Sequence, residues 1–177
     1  MKIELTNGKY FREGKYYSER FACEMTASSD LDNPVSDEYI ERCADAAECF
    51  SDEMMNTINE AAKRYALTLI EEIREETGED FSFEDEDLPE ITEDTPASEM
   101  PEYFRFNELS ADKPEHENQL YFRLSGGCDW EIEHGLEAAF CDGKLIYLGS
   151  FEQATPHRVD YFTSGKGREW NYAIEGE

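Results

Sequence analysis

Apolar residues along this chain change their spacing three times. Residues 2–6 alternate polar and apolar, and Asn7-Gly8 supplies a two-residue turn, so the chain opens on short strands. Residues 9–12 and 15–26 continue them, with a break at Glu13-Gly14. Residues 27–34, rich in Ser, Asp and Asn and ending at Pro34, close this β section. The spacing then becomes helical. Ser36 is an N-cap candidate, followed by Asp37 and Glu38 at the positive end of the helix dipole. Tyr39, Ile40, Cys43, Ala46, Ala47 and Phe50 share one face. Ser51 caps a second helix with Asp52 and Glu53 in its first turn. Its stripe is Met54, Met55, Ile58, Ala61, Ala62, Tyr65, Ala66, Leu69, Ile70 and Ile73, and it stops at Thr77-Gly78. Helices are therefore expected over residues 36–50 and 52–77.

The third regime is again β. Residues 119–125 alternate around Leu120, Phe122 and Leu124. Residues 136–141 and 144–148 flank Asp142-Gly143, the strongest hairpin signal in the chain. Residues 158–163 read as a further strand. Trp170, Tyr172 and Ile174 alternate within the polar stretch 165–177 and suggest a last edge strand. Gly165-Lys166-Gly167-Arg168 reads as a hairpin turn rather than a phosphate loop, because no helix signal follows it. Strands, then helices, then strands, without βαβ alternation, predict a single α+β domain over residues 1–177. An antiparallel sheet from both chain ends should pack against two helices. The expected core includes Phe50, Ile58, Tyr65, Leu69, Leu120, Phe122, Trp130, Phe140 and Leu145.

Composition changes this picture in one place. Residues 79–104 hold eleven carboxylates, no Lys or Arg, and three prolines. Like charges and proline both oppose regular structure. A surface loop is expected there, pinned by Phe81, Phe83, Leu88, Ile91 and Met100. Its carboxylates Glu84, Asp85, Glu86, Asp87 and Glu90 are candidates for contact with a partner. The whole chain has 43 acidic and 16 basic residues, a formal charge of −27. Such a field keeps a protein soluble, repels nucleic acid and anionic membrane, and attracts a basic macromolecule. With 11 Phe and 10 Tyr in 177 residues, the chain has the apolar content to fold. No stretch approaches the ~18 apolar residues of a membrane span. Five cysteines without a Cys-x-x-Cys pair, and a start lacking a secretory apolar core, suggest a cytoplasmic protein with reduced thiols.

Candidate chemistry concentrates between Gly126 and Leu136. Cys128, Asp129, Trp130, Glu133, His134 and Gly135 stand beside turn glycines. A zinc-type site could use Cys128, His134 and Cys141 or Asp129, but no two ligands are paired on a short turn. A hydrolase could use Cys128 as nucleophile and His134 as base, but no third, orienting residue is identifiable. The structural alternative has Trp130 buried and Glu133 and His134 fixing the turn into the next strand. Two calcium spacings fail. In Asp80, Ser82, Glu84 the sixth position is Asp85 and the twelfth Ile91; in Asp30, Asp32, Glu41 the places of a ligand and the glycine hold Pro34 and Val35. Gly-rich phosphate loops, His-Glu-x-x-His and Gly-x-Ser-x-Gly are missing from the sequence, and no cofactor is expected. The Glu-rich helix end 71–76 invites a nucleic-acid-mimic reading, a variant of the basic-partner expectation.

The run Cys128-Asp129-Trp130, Glu133-His134-Gly135-Leu136, Asp142-Gly143-Lys144 and Leu145-Ile146-Tyr147-Leu148-Gly149 resembles an uncharacterised bacterial domain family. Its members share Trp-x-x-Glu-His-Gly, followed by a hairpin and a terminal Gly. The resemblance covers residues 128–149. It implies a β-rich C-terminal portion and an immunity or interaction role, and it carries over no catalytic residue. The sequence thus favours a non-enzymatic acidic binding protein for a basic partner. The alternative is a small hydrolase or metal-dependent enzyme using residues 128–134.

Overall fold

The computed structural model describes residues 1–78, 81–116 and 118–174. Among them seven strands form one sheet in chain order: β1 (Thr6–Asn7), β2 (Phe11–Ser18), β3 (Cys23–Asp30), β4 (Phe104–Ala111), β5 (Tyr121–Cys128), β6 (Glu131–Cys141) and β7 (Lys144–Gly149). Neighbours are antiparallel except β3 and β4, which run parallel. The fold is α+β with a mixed sheet, not the wholly antiparallel one expected. The cause is the connection. Residues 31–103 carry both long helices back across the sheet, and a crossover of this kind joins parallel neighbours.

The helices α1 (Asp37–Glu48) and α2 (Asp52–Thr77) begin where the caps predict. Ser36 accepts from the Tyr39 N–H and Ser51 from the Met54 N–H, satisfying amides that the first turn leaves free. Gly78 ends α2 at φ +68°, a conformation that disfavours a side chain. Both helices bury one face against the sheet. Ile40, Cys43, Ala44 and Ala47 come from α1, and Ile58, Ala61, Ala62, Tyr65, Ala66 and Ile70 from α2. The core between them centres on Phe50, Phe122 and Phe140, whose ring centroids lie 4.7 to 6.1 Å apart. Leu69, Leu120 and Leu145, expected inside, are only partly buried at its margin. A second cluster of Tyr121, Ala139, Tyr147, Ala154 and Phe162 lies apart from this core.

Several boundaries differ from expectation for identifiable reasons. β2 runs straight through Glu13-Gly14. There glycine admits the backbone of Glu4, whose carbonyl oxygen would stand 2.4 Å from any added Cβ. The reversal falls instead at residues 19–22, where the Glu48 carboxylate accepts from the Ser18 hydroxyl and from the Glu19 and Arg20 amides. The loop after Asn7 is longer than two residues, since Asn7 pairs with Arg12. β3 continues to Asp30 because Ser29 and Asp30 pair with Arg12 and Phe11 of β2, while Thr26, Ala27 and Ser28 pair with β4, a strand that the apolar pattern does not predict.

The 158–163 segment is helical rather than extended. A 3-10 turn (Pro156–Arg158) leads into α3 (Val159–Thr163). Val159 and Phe162 lie three apart, so a helix directs both into the second cluster. Residues 166–170 form another 3-10 turn, and no strand follows among the described residues. The expected edge position is nevertheless filled. The Asn171 side chain accepts from the Leu148 N–H and donates to the Ile146 carbonyl, and the Tyr172 N–H bonds the Leu148 carbonyl. Together they cap the exposed edge of β7. Residues 79, 80 and 175–177, expected in the acidic loop and a last edge strand, lie outside the described residues.

Candidate functional site

The Trp130 segment is a hairpin turn. Cys128 pairs with Glu131, leaving Asp129 and Trp130 as the two-residue connection between β5 and β6. Trp130 is buried, edge-on to Tyr65 at 5.9 Å and to Phe104 at 6.1 Å between centroids. Backbones crowd behind it. A Cβ on Gly126 would stand 1.9 Å from the Arg105 carbonyl oxygen, and one on Gly135, at φ +66°, 2.4 Å from the Gly126 carbonyl oxygen. Glu133 and His134 do not hold this turn. Both are exposed, and the acceptor is Glu131, whose Oε1 takes the Glu133 N–H at 3.0 Å and the His134 N–H at 3.2 Å. The carboxylate of Glu131 lies close enough in sequence to fold back on amides two and three residues ahead, which no side chain at 133 or 134 can do for itself.

Cys128 and His134, the nucleophile and base of the alternative reading, are not bonded to each other. The Cys128 thiol is buried and bonded to the Glu131 carbonyl at 3.5 Å. Burial, reinforced by the charges of Glu131 and Asp129, pushes its pKa up to about 12. A thiol there is not a thiolate at neutral pH. The His134 imidazole faces Glu131 at 3.5 Å on the outside of the turn. Cys141 pairs with Tyr121 at the far end of the same two strands, roughly 20 Å away at ~3.3 Å per residue. Among the described residues no group of three His, Cys, Asp or Glu side chains is placed to hold a metal ion.

In the acidic segment, Glu84, Asp85, Glu86, Asp87 and Glu90 all face solvent. Phe81, Phe83 and Leu88 pack on the core and Ile91 and Met100 are buried within it, as the apolar pattern predicted. The Arg74 guanidinium lies 4.8 Å over the Phe81 ring. Asp80, the first position of one calcium spacing, lies outside the described residues.

A further feature was not foreseen. Register places two polar rows across β2–β6 on one face of the sheet. Glu13, Ser28, Ser110 and Arg123 stand side by side, and next to them Lys15, Thr26, Glu108, Ser125 and Glu137. Ala27, Leu109, Leu124 and Ala138, which alternate with them, belong to the helix-side core, so the polar rows lie on the face turned away from the helices. Arg123 forks onto Asp112, with Nε 2.6 Å from Oδ2 and an Nη 3.1 Å from Oδ1; its other Nη reaches Glu137 at 3.5 Å. Glu137 is fully buried and accepts the Ala154 N–H at 2.6 Å and the Gln153 N–H at 3.1 Å. Burial raises its pKa, against the opposing pull of Arg123 and these two amides. Glu137 thereby pins the loop after β7 as a wall. Between that wall and β2 opens a cleft of about 420 Å3. Its rim carries the exposed rings of Phe11 and Phe151, and four of its lining residues, Glu13, Asp30, Glu108 and Asp112, are acidic against Arg123 alone. One signal for it was available in the sequence: Glu137 is a lone carboxylate inside the apolar run 136–141.

Residues 2–155 match the family model described as a domain of unknown function, DUF6985. The chain belongs to this family. Comparison with curated proteins and with solved structures found no match. The DUF6985 span takes in the sheet, α1, α2 and the cleft wall as far as Thr155, whereas α3 and the Asn171 edge cap lie beyond it. No helix among the described residues is long and apolar enough to cross a membrane.

Proposed function

We propose that this DUF6985 chain is a non-enzymatic binding protein, of immunity or regulatory type, that takes a basic macromolecular partner on the open face of its sheet. The cleft beside Arg123 carries the reading: four carboxylates and two exposed aromatic rings border a cavity on a face that α1 and α2 leave uncovered. Exposed aromatics beside carboxylates suit Lys and Arg side chains, which present an apolar stem and a cationic head. The net charge of −27 attracts such a partner from a distance. On this reading Glu84, Asp85, Glu86, Asp87 and Glu90 steer the approach, and the cleft provides the seat. Trp130 and Gly135 of the Trp-x-x-Glu-His-Gly signature then brace the β5–β6 hairpin, the chain folds as one α+β unit, and it works in the bacterial cytoplasm.

Isothermal titration with a nona-arginine peptide tests the reading. The chain should bind it at low salt, with affinity falling as salt rises. The double variant Glu13→Gln/Glu108→Gln should bind at least about tenfold more weakly, a loss of ~1.4 kcal/mol. An absence of binding at low salt, or equal affinity for the double variant, would count against it.

A further inference from the structure

On the rim of the cleft beside Arg123, strand pairing sets an aromatic ring next to two carboxylates. Phe11 of β2 is the direct cross-strand partner of Asp30 of β3, which puts their Cβ atoms about 5 Å apart. Glu13 stands two residues further along β2 on the same face, ~7 Å from Phe11. All three residues line the cleft and are exposed. Phe11 is 49% exposed, so its ring keeps a face open to a ligand. Phe151, 44% exposed, borders the same cleft from the loop after β7. The chain's own cations stand over other rings, those of Tyr10, Phe81, Tyr161 and Phe162. Asp30 is held in place, since its Oδ1 accepts the Asp32 N–H at 2.7 Å.

These neighbours do not serve the two basic side chains equally. A lysine ammonium is a compact, strongly hydrated point charge, and a carboxylate alone satisfies it. A guanidinium is planar and more weakly hydrated. It lies flat on an aromatic ring while its edge donates to a carboxylate at the ring's margin. Phe11 with Asp30 beside it offers both contacts at once, and Glu13 adds a second acceptor within reach. We infer that the segment seated in this cleft is arginine-rich rather than lysine-rich, with one guanidinium lying on Phe11 and donating to Asp30. Phe151 borders the same seat from the far wall. The inference rests on the basic-partner reading above and narrows it to one side chain.

Isothermal titration with nona-arginine and nona-lysine, equal in length and charge, tests this at one low salt concentration. The wild type should bind nona-arginine at least about fivefold more tightly than nona-lysine. In Phe11→Leu/Phe151→Leu, which keeps every carboxylate, the gap should close to about twofold or less. Asp30→Asn, which can still accept from the Asp32 amide, should also narrow the gap. Thermal melts of both variants check that they fold, as substitutions of exposed side chains should. Equal affinity of the wild type for the two peptides would overturn the arginine preference and leave the basic-partner reading standing. A preference that survives undiminished in either variant would overturn the seat on Phe11 and Asp30. Binding of neither peptide at low salt would overturn both the preference and the reading beneath it.

Discussion

At the scale of residues, the β5–β6 hairpin divides two tasks between adjacent side chains. Trp130 fills space between Tyr65 and Phe104, while Glu131 holds the backbone by accepting two amides. Trp130→Ala should therefore lower stability by about 3–5 kcal/mol, as large-to-small core changes do. Glu131→Ala should cost about 0.5–1.5 kcal/mol, since water can reach the two exposed amides it releases. His134→Ala, on an exposed side chain, should stay within about 0.5 kcal/mol. Thermal melts of the three variants check this order, and a large loss for His134→Ala would contradict it. The burial of Trp130 was legible because a large aromatic beside glycines has few places to go. The role of Glu131 was not, since three carboxylates within five residues look alike until the turn geometry selects one. The thiols give a second prediction. The Cys128 thiol titrates near 12 in the fold, against 9.0 for a free thiol. Between those values the unfolded chain has lost a proton that the folded chain keeps, so stability falls as pH rises through that window. Below pH 9 the contribution is fully present. Denaturant melts from pH 8 to 11 should show the decline. In the native protein at neutral pH a thiol reagent should modify exposed Cys49 and spare buried Cys43 and Cys128.

At the scale of elements, legibility followed the strength of local signals. Both helices were readable to within a residue or two, since serine caps, acidic first turns and a terminal glycine agree with the apolar stripe. The Asp142-Gly143 hairpin was equally plain, and both residues adopt positive φ. β4 was missed. Phe104 and Phe106 alternate properly, but the register shifts between Phe106 and Glu108, so Leu109 and Ala111 fall out of phase with them. The strand also starts directly after the acidic segment, whose charge masks it. With β4 went the parallel pairing and both polar rows of the open face, which is why Glu137 alone hinted at the cleft. Distant strands build it, and pairing between them leaves no mark on a single sequence. β4 also explains Gly126. The Arg105 carbonyl occupies the space that a side chain would need, so Gly126→Ala should separate β4 from β5 and cost about 1–3 kcal/mol. Gly127→Ala, with open space around its Cβ position, is the matched control and should cost less. Chemical denaturation of the pair measures the difference.

At the scale of the whole molecule, the two faces of the sheet differ in what covers them. One is sealed by α1, α2 and the aromatic core. The other is apolar around Tyr121, Tyr147 and Phe162 and mostly polar from β2 to β5, where the exposed rings of Phe11 and Phe151 border the cleft. The charge of −27 was legible at once, and with it the expectation of a basic partner. The cleft proposed as its seat is visible only in the folded sheet. Hydrogen–deuterium exchange of the chain with and without nona-arginine at low salt tests this assignment most directly. The account predicts slower exchange in peptides covering β2, β4 and the 150–155 loop, with α1 and the helix-side core unchanged. Protection confined to α1 and α2, or none in the strands that line the cleft, would contradict it.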